Sequence, residues 1–122
     1  MQSLAEIADD LAAGRTTSRA LTEAALARID DPAGEGARAF IKVYHEAALE
    51  CAKASDQARA HGIVPSPLAG IPVSIKDLCD VAGEVTLAGS SVRQDAEAAT
   101  KDAPAVARLR AAGAVSTGRT NM

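Results

Sequence analysis

The start of the chain carries apolar side chains at helical spacing. Residues 3–14 begin with a Ser-x-x-Glu capping box, continue with leucine and isoleucine on one helical face, and end at a glycine. Residues 17–31 begin with a threonine that can cap a helix, and they carry a second apolar stripe that ends at Asp-Asp-Pro. The pattern therefore predicts a pair of leading helices within residues 1–31.

The next stretch alternates short apolar runs with a helical segment. Residues 39–44 are rich in β-branched and aromatic side chains, which predicts a strand. Residues 45–61 are alanine-rich with polar residues at helical spacing, which predicts a third helix. Within residues 71–77, isoleucine and valine share one parity while Ser74 and Lys76 share the other. We therefore expect a second strand that ends in a charge.

The remaining segment opens without periodicity. Residues 83–101 contain glycine, serine and threonine with no sustained period, and such a long loop is usually functional or disordered. Asp102 as an N-cap, with a proline in the first turn, then predicts a helix that ends at Gly113. Val115 begins a last short strand. This order predicts an α/β sheet with helices on its faces, and residues 37–122 supply its first strands.

The composition changes this picture because the apolar side chains are small. Of the 122 residues 48% are hydrophobic, but alanine supplies 29 of these and all larger apolar residues together another 29. Methyl groups bury little area, so the large side chains can form only a modest core. We therefore expect residues 1–122 to be the N-terminal segment of a single larger domain, with part of its core elsewhere.

Charge and composition exclude several classes of function. A net charge of −3 and an aromatic content of 2% argue against a surface that binds phosphates or stacks bases, so we expect no direct nucleic-acid partner. No stretch approaches the roughly 20 apolar residues of a membrane span, and the start lacks the pattern of a secretory signal. We expect no membrane partner and a cytoplasmic location. Cys51 and Cys79 stand far apart and are expected to be reduced, buried thiols.

Three groups of residues have the composition of functional sites but suit structural roles better. Residues 113–120 match a phosphate-loop pattern with arginine in place of lysine, yet a helix and not a strand precedes them. The two histidines have no partner at metal-ligand spacing, so we expect no metal site. The pairs Asp30 with Asp31 and Asp77 with Asp80 are typical of turns and helix caps.

Lys76 is a stronger candidate because it lies where an apolar strand meets a polar loop, on the same strand face as Ser74. One interpretation is a solvated lysine at a strand end, which the spacing alone favours. The other is a lysine partly buried among apolar walls that accepts a proton during catalysis. That role requires a neutral amine, which only a folded and partly dry site supplies.

Four stretches, taken together, resemble one enzyme family. They are residues 67–77 (PLAGIPVSIKD), Thr86 with the Ala-Gly-Ser of residues 88–90, the helix and cap of residues 102–114, and residues 118–122 (GRTNM). Their order and spacing are similar to those of the amidase signature family, the Ser-Ser-Lys hydrolases of carboxamides. The leading helices also resemble the N-terminal pair of that family. We identify the sequence as the N-terminal segment of a member.

The resemblance implies both a fold and a chemistry. It implies a mixed β-sheet flanked by helices, incomplete in this chain, and hydrolysis of a carboxamide C–N bond through an acyl-serine without metal or organic cofactor. Lys76 matches the family's catalytic lysine, which accepts a proton through a bridging serine held by a cis peptide. Both family serines lie downstream of the residues present here, and Ser90 and Ser91 match the loop before the helix instead. We expect these 122 residues alone to be inactive.

Partners and alternatives follow from the same resemblance. The expected partners are a small-molecule amide, the remainder of the amidase chain and, by family habit, a second copy in a homodimer. One alternative is the A subunit of a tRNA-dependent amidotransferase, which passes ammonia from glutamine to a partner subunit. A second is a non-catalytic interaction module on the same fold. A third is a nucleotide-binding domain that uses residues 113–120.

Overall fold

The computed structural model describes residues 1–122 as helices packed around a small sheet. None of the helices is long and apolar enough to cross a membrane. A single turn of 3₁₀ helix, Ser91–Arg93, interrupts the long loop. The regular elements in chain order are α1 (Leu4–Ala12), α2 (Ser18–Asp30), α3 (Gly36–Ala39), β1 (Phe40–Val43), α4 (His45–Ala60), β2 (Pro72–Lys76), α5 (Pro104–Ala111) and β3 (Val115–Thr120).

The three strands form one mixed sheet in the order β1-β3-β2. The last strand along the chain, β3, lies in the centre, where it runs antiparallel to β1 and parallel to β2. In the parallel pair, Lys76 at the end of β2 lies opposite Thr120 at the end of β3. The mixed sheet flanked by helices that the family resemblance implies is confirmed.

Gly118 allows β1 and β3 to approach each other. A Cβ atom at this position would lie 2.2 Å from the carbonyl oxygen of Lys42 and 3.1 Å from the Phe40 ring. The residue also stands next to an irregularity in the parallel register, between Val73 and Ser74. Because any side chain would push the two strands apart, glycine is required at this point of the central strand.

The leading helices are attached to the sheet by small polar contacts. The Ser18 hydroxyl donates a 2.7 Å hydrogen bond to the carbonyl of Gly70, just before β2. Asp56, on α4, accepts from the backbone N–H groups of Ser18 at 2.8 Å and Arg19 at 3.0 Å. A carboxylate at the start of α2 satisfies N–H groups that have no partner within that helix. These bonds fix α2 against both α4 and the start of β2.

The core is small and divided, as the composition predicts. Only 20 of 122 residues are buried. One cluster joins Ala48 and Ala52 of α4 to Val115 of β3, and a second consists of Ile75, Val81 and Val106. Large apolar side chains remain exposed at Met1, Leu4, Ile41, Ile63, Val64, Leu78, Val92 and Met122. That the rest of the core lies elsewhere in a longer chain stays a prediction.

Asp102 does not cap α5, which corrects the sequence-based prediction. The N-cap is Ala103, and no side chain caps this helix. The Asp102 carboxylate instead accepts a 2.8 Å hydrogen bond from the Ala82 N–H and forms a 2.9 Å ion pair with Arg110. The aspartate therefore ties the long loop to α5, because the proline at the first helical position has already removed one of the N–H groups that a cap would satisfy.

Two further details differ from the sequence-based expectation. Cys51 is exposed, since the buried face of α4 is the one that carries Ala48 and Ala52. Cys79 lies in the turn after β2 and is half-buried. A short helical turn that the sequence pattern did not predict, α3, also begins at Gly36. A Cβ atom on Gly36 would lie 1.7 Å from the carbonyl oxygen of Ile29, so the absence of a side chain permits this contact.

Candidate active site

Lys76 is the last residue of β2, and its side chain is exposed. Ser74 is exposed on the same face, whereas Ile75 between them is buried, so the predicted alternation is confirmed. The Lys76 amine forms no ion pair or hydrogen bond with the 122 residues described, and Lys76 lines none of five clefts on the surface. Within this chain it has the surroundings of a solvated lysine.

The backbone around Lys76 is held on three sides. The Asp77 N–H donates to the carbonyl of Thr120 at 2.8 Å, which extends the parallel ladder by one residue. The Cys79 N–H donates to the carbonyl of Lys76 at 3.1 Å and closes a turn directly after the strand. The Ala88 N–H donates to the carbonyl of Asp77 at 3.0 Å, from the far side of the loop. An exposed side chain therefore projects from a fixed backbone.

The loop next to Lys76 contains unusual backbone geometry. Ala88 has φ of +51°, and it is the one residue other than glycine with positive φ. Gly89 follows with φ of +71°, and a Cβ atom there would lie 3.2 Å from the Met122 side chain. An alanine in the left-handed region is strained, and such strain is concentrated at functional sites. This geometry lies where the Ala-Gly-Ser stretch of residues 88–90 adjoins the strand end.

A buried ion pair lies on the opposite face of the same strand end. Arg119 is 1% exposed and Asp77 is 3% exposed. Arg119 Nη2 donates to Asp77 Oδ1 at 2.7 Å and to the carbonyl of Cys79 at 3.0 Å. The Asp77 carboxylate also accepts from the Leu87 N–H, at 3.3 Å and 3.4 Å to its two oxygens. Charges this deeply buried require such partners, because desolvation disfavours each charge alone.

Further polar residues surround the arginine. Thr86 is buried, with Oγ1 3.5 Å from Arg119 Nη2, and its hydroxyl donates to Asp80 Oδ1 at 2.8 Å. Arg93 Nε donates to the carbonyl of Thr86 at 2.7 Å. Arg119 Nη1 lies 3.9 Å from Glu84 Oε1. The Arg119 guanidinium therefore contacts both Asp77 and Thr86, and Arg93 is tied to this group through Thr86.

Glu84 connects this loop to β1. It accepts hydrogen bonds from the Tyr44 hydroxyl and, at 3.0 Å, from Lys42 Nζ. Burial alone would raise the pKa of Glu84, but the hydrogen bonds from Tyr44 and Lys42 and the charges of Lys42 and Arg119 outweigh it and lower that pKa. The pKa of Tyr44 is raised, first by burial and then by its bond to the Glu84 carboxylate.

The other residues singled out from the sequence do not join Lys76. Residues 113–120 begin at the end of α5 and continue into the central strand, so no helix N-terminus follows them as a phosphate loop requires. His45 lies 2.9 Å from the Asp30 carboxylate, and His61 Nδ1 lies 2.8 Å from the carbonyl of Gln57. No group of three or more histidine, cysteine or acidic side chains could hold a metal ion.

The serines of the long loop have local roles. The Ser90 N–H donates to the carbonyl of Leu87 at 2.9 Å, and Ser91 begins the 3₁₀ turn. Neither hydroxyl forms a hydrogen bond with Lys76.

Sequence reasoning missed Arg119 and underestimated Asp77. An arginine in a Gly/Ser/Thr-rich stretch is normally exposed, and an aspartate before a turn is normally a cap. The signal that could have found them is parity, since Ile75 and Asp77 alternate with Lys76 and must face the core if Lys76 faces solvent. The pairing of β3 with β2 was also needed, because it places Arg119 opposite Ile75.

The chain is similar to known proteins in both sequence and structure. The chain is 44% identical over 117 residues to the AtzE component of 1-carboxybiuret hydrolase from Pseudomonas sp. (strain ADP), a match that covers 96% of this chain and 25% of that protein. It is 43% identical to the A subunit of Glutamyl-tRNA(Gln) amidotransferase from Chromohalobacter salexigens, covering 99% of this chain and 24% of that protein. The crystal structure of peptide amidase from Stenotrophomonas maltophilia superposes with a TM-score of 0.85 at 38% identity, over 99% of this chain and 25% of that enzyme.

The fold is that of the amidase signature enzymes. The family model Amidase matches residues 20–122, which include Lys76, Arg119 and the loop of residues 77–93. This chain therefore belongs to the Amidase family. It spans about a quarter of the length of the relatives that it matches.

Proposed function

We propose that this chain carries the catalytic lysine of an amidase, and that Lys76 is that lysine. The single observation that carries the proposal is the position of Lys76, at the end of a parallel strand inside the matched residues, with an exposed side chain on a fixed backbone. The reaction is hydrolysis of a carboxamide to a carboxylate and ammonia or an amine. The serines that the family chemistry requires belong to the remainder of a polypeptide of the relatives' length, called here the complete enzyme.

The proposed role of Lys76 is that of a proton carrier. As a neutral amine, Lys76 accepts the proton that the nucleophilic serine loses when its oxygen attacks the amide carbon. Lys76 then donates that proton to the amide nitrogen as the C–N bond breaks, ammonia or the amine leaves, and an acyl-serine remains. Water hydrolyses that ester by the same proton path. A neutral lysine needs apolar surroundings, which in this proposal come from the remainder of the complete enzyme, because Lys76 is exposed in this chain.

The test is ammonia release by the complete enzyme from a panel that contains glutamine, a short aliphatic amide and an aromatic amide. Lys76→Ala should lower kcat on every accepted substrate by about 10²–10⁴-fold, since it removes the group that transfers the proton. Lys53→Ala is the matched control, because Lys53 is an exposed lysine on α4 and not on the catalytic strand, and it should keep wild-type kcat. A Lys76→Ala enzyme that turns over like Lys53→Ala would refute the assignment.

A second candidate function is that of an amidotransferase A subunit. It is supported by the 43% identity to an amidotransferase component, almost equal to the 44% identity to a hydrolase component. In that case ammonia from glutamine passes to a partner subunit instead of being released. Purification of the complete enzyme from its own cells separates the two functions. A partner that copurifies and accelerates glutamine hydrolysis would favour the amidotransferase, whereas hydrolysis of other amides by the enzyme alone favours the amidase.

A further inference from the structure

The Arg119–Asp77 ion pair is unusual for a chain with so small a core. Both groups are almost completely buried, and their side chains are 2.7 Å apart at the closest atoms. A buried ion pair is a poor source of stability, because apolar side chains of similar volume often do as well or better. Its geometry is more specific than that of an apolar contact, since the guanidinium is planar and its N–H groups point in fixed directions. The pair therefore sets a geometry at the end of β2.

That geometry is fixed relative to the turn after Lys76. The same Nη2 atom of Arg119 binds the Asp77 side chain and the Cys79 carbonyl, on both sides of Leu78. The Cys79 N–H in turn binds the Lys76 carbonyl. One guanidinium group therefore holds the turn that determines the direction in which β2 ends.

Asp77 extends this constraint to the neighbouring loop. Its carboxylate accepts the Leu87 N–H and its carbonyl accepts the Ala88 N–H, so the strained residue is anchored to the residue after Lys76. Arg119 stands next to Thr120, whose position in the sheet is directly opposite Lys76. The pair thus fixes residues next to Lys76 in the chain and in the sheet, and it makes no contact with the Lys76 side chain.

We propose that Arg119 and Asp77 are positioning residues for the reaction, which hold the Lys76 backbone so that the amine reaches the serine proton from a fixed point. This inference rests on the proposed function of Lys76. Proton transfer depends steeply on geometry, and a displacement of about 1 Å can cost 10²-fold in rate.

The test compares three variants of the complete enzyme. Arg119→Lys keeps the positive charge but lacks the planar fork that binds Asp77 and the Cys79 carbonyl together. Asp77→Asn keeps the shape of the side chain but loses the charge. Leu26→Ala is the control for lost stability, because Leu26 is buried in α2 and belongs to neither the ion pair nor the loop. Thermal melting identifies the temperature at which all three remain folded.

We expect Arg119→Lys and Asp77→Asn to lower kcat by about 10–100-fold with KM nearly unchanged, because substrate binding is not the step that depends on Lys76. Leu26→Ala should melt at a lower temperature and keep wild-type kcat. If the two variants keep wild-type kcat while Lys76→Ala is inactive, the positioning role is wrong and the proposed function stands. If Lys76→Ala is itself fully active, the proposed function is wrong, and the positioning role that rests on it is wrong as well. A loss of kcat in Leu26→Ala equal to that of the variants would overturn the positioning role, since it would reflect stability alone.

Discussion

The two ends of β2 are held in different ways. At its start, small neutral groups pack the sheet against α2 and α4, such as the Ser18 hydroxyl on Gly70 and Ala48 and Ala52 on Val115, and the half-buried Arg59 of α4 donates to the Ala69 carbonyl at 3.1 Å. At its end, next to Lys76, the contacts are charged groups that are buried and directional. Small residues let elements approach closely but specify direction weakly, whereas a guanidinium fixes both distance and direction.

The difference indicates that side-chain geometry matters more at the end of β2 than at its start. At the start of β2, called the helical end, α2 and α4 pack against the sheet, and many small side chains would serve there. At the other end of β2, called the loop end, the contacts of Arg119 determine the direction in which Lys76 projects from the sheet. Few side chains other than arginine can bind a carboxylate and a carbonyl at once. We therefore expect substitutions at the two ends to differ in size and in kind.

The largest effect on stability is expected at the loop end. Asp77→Ala should lower the free energy of unfolding of the complete enzyme by about 3–5 kcal/mol, because it removes the carboxylate 2.7 Å from the buried Arg119 and leaves only Glu84, 3.9 Å away, as a countercharge. Urea unfolding measures this loss. Lys53→Ala, at an exposed position on α4, is the control and should change the free energy by less than about 0.5 kcal/mol. A loss as small as that of the control would mean that the pair does not hold the strand end.

A smaller effect is expected at the helical end. Ala52→Val should lower the free energy of unfolding by about 1–3 kcal/mol, since Ala52 is completely buried where α4 meets β3 and extra methyl groups must displace neighbours. Ala54→Val places the same side chain on an exposed position of that helix, so it controls for helix propensity. Equal losses in the two variants would show that packing at this end is looser than the structure indicates. Neither variant should alter kcat.

The smallest effect concerns the titration of Tyr44. Its raised pKa means that the phenol is still protonated in the folded protein at pH values where a free tyrosine, of ordinary pKa 10.0, ionises. The difference in absorbance at 295 nm between the complete wild-type enzyme and Tyr44→Phe should therefore show less tyrosinate at pH 11 than a free tyrosine forms. The neutral phenol adds stability below pH 10 that is lost as pH rises through the folded pKa. Tyrosinate that forms with the ordinary pKa would contradict the bond to Glu84.

Glu84, which accepts the hydrogen bond from Tyr44, affects stability at acid pH. Because the pKa of Glu84 is lowered in the folded protein, its charged form adds stability above the ordinary range of a glutamate. That stability is lost as pH falls through the folded pKa. Glu84→Gln should therefore flatten the acid limb of stability against pH, and should also allow Tyr44 to ionise at a lower pH. An unchanged acid limb would show that Glu84 is not held as described.

The sequence predicted most of the elements and the position of Lys76. Helical spacing, capping residues and strand parity act over a few residues, so the approximate bounds of α1, α2, α4 and β2 and the shared strand face of Ser74 and Lys76 follow from them. The order of the strands did not follow. The last strand lies in the centre, and nothing local in residues 115–120 distinguishes a central strand from an edge strand.

The residues around Lys76 were predicted less well, for a related reason. Arg119 and Asp77 are 42 positions apart and meet only because β3 pairs with β2. Asp102 has the position of a helix cap, but a loop N–H and Arg110 provide competing partners. Polar side chains choose between local and distant partners of similar strength, and that choice is made by the whole fold.

The most direct test of the account is chemical replacement of the Lys76 amine. In the complete enzyme, Lys76→Ala should be almost inactive, and small alkylamines added to the buffer should restore ammonia release in proportion to the concentration of their neutral form. Such rescue identifies a proton carrier, because the added amine replaces the chemistry of the side chain and not its structural contacts. A Lys76→Ala enzyme with wild-type kcat in the absence of any added amine would contradict the account.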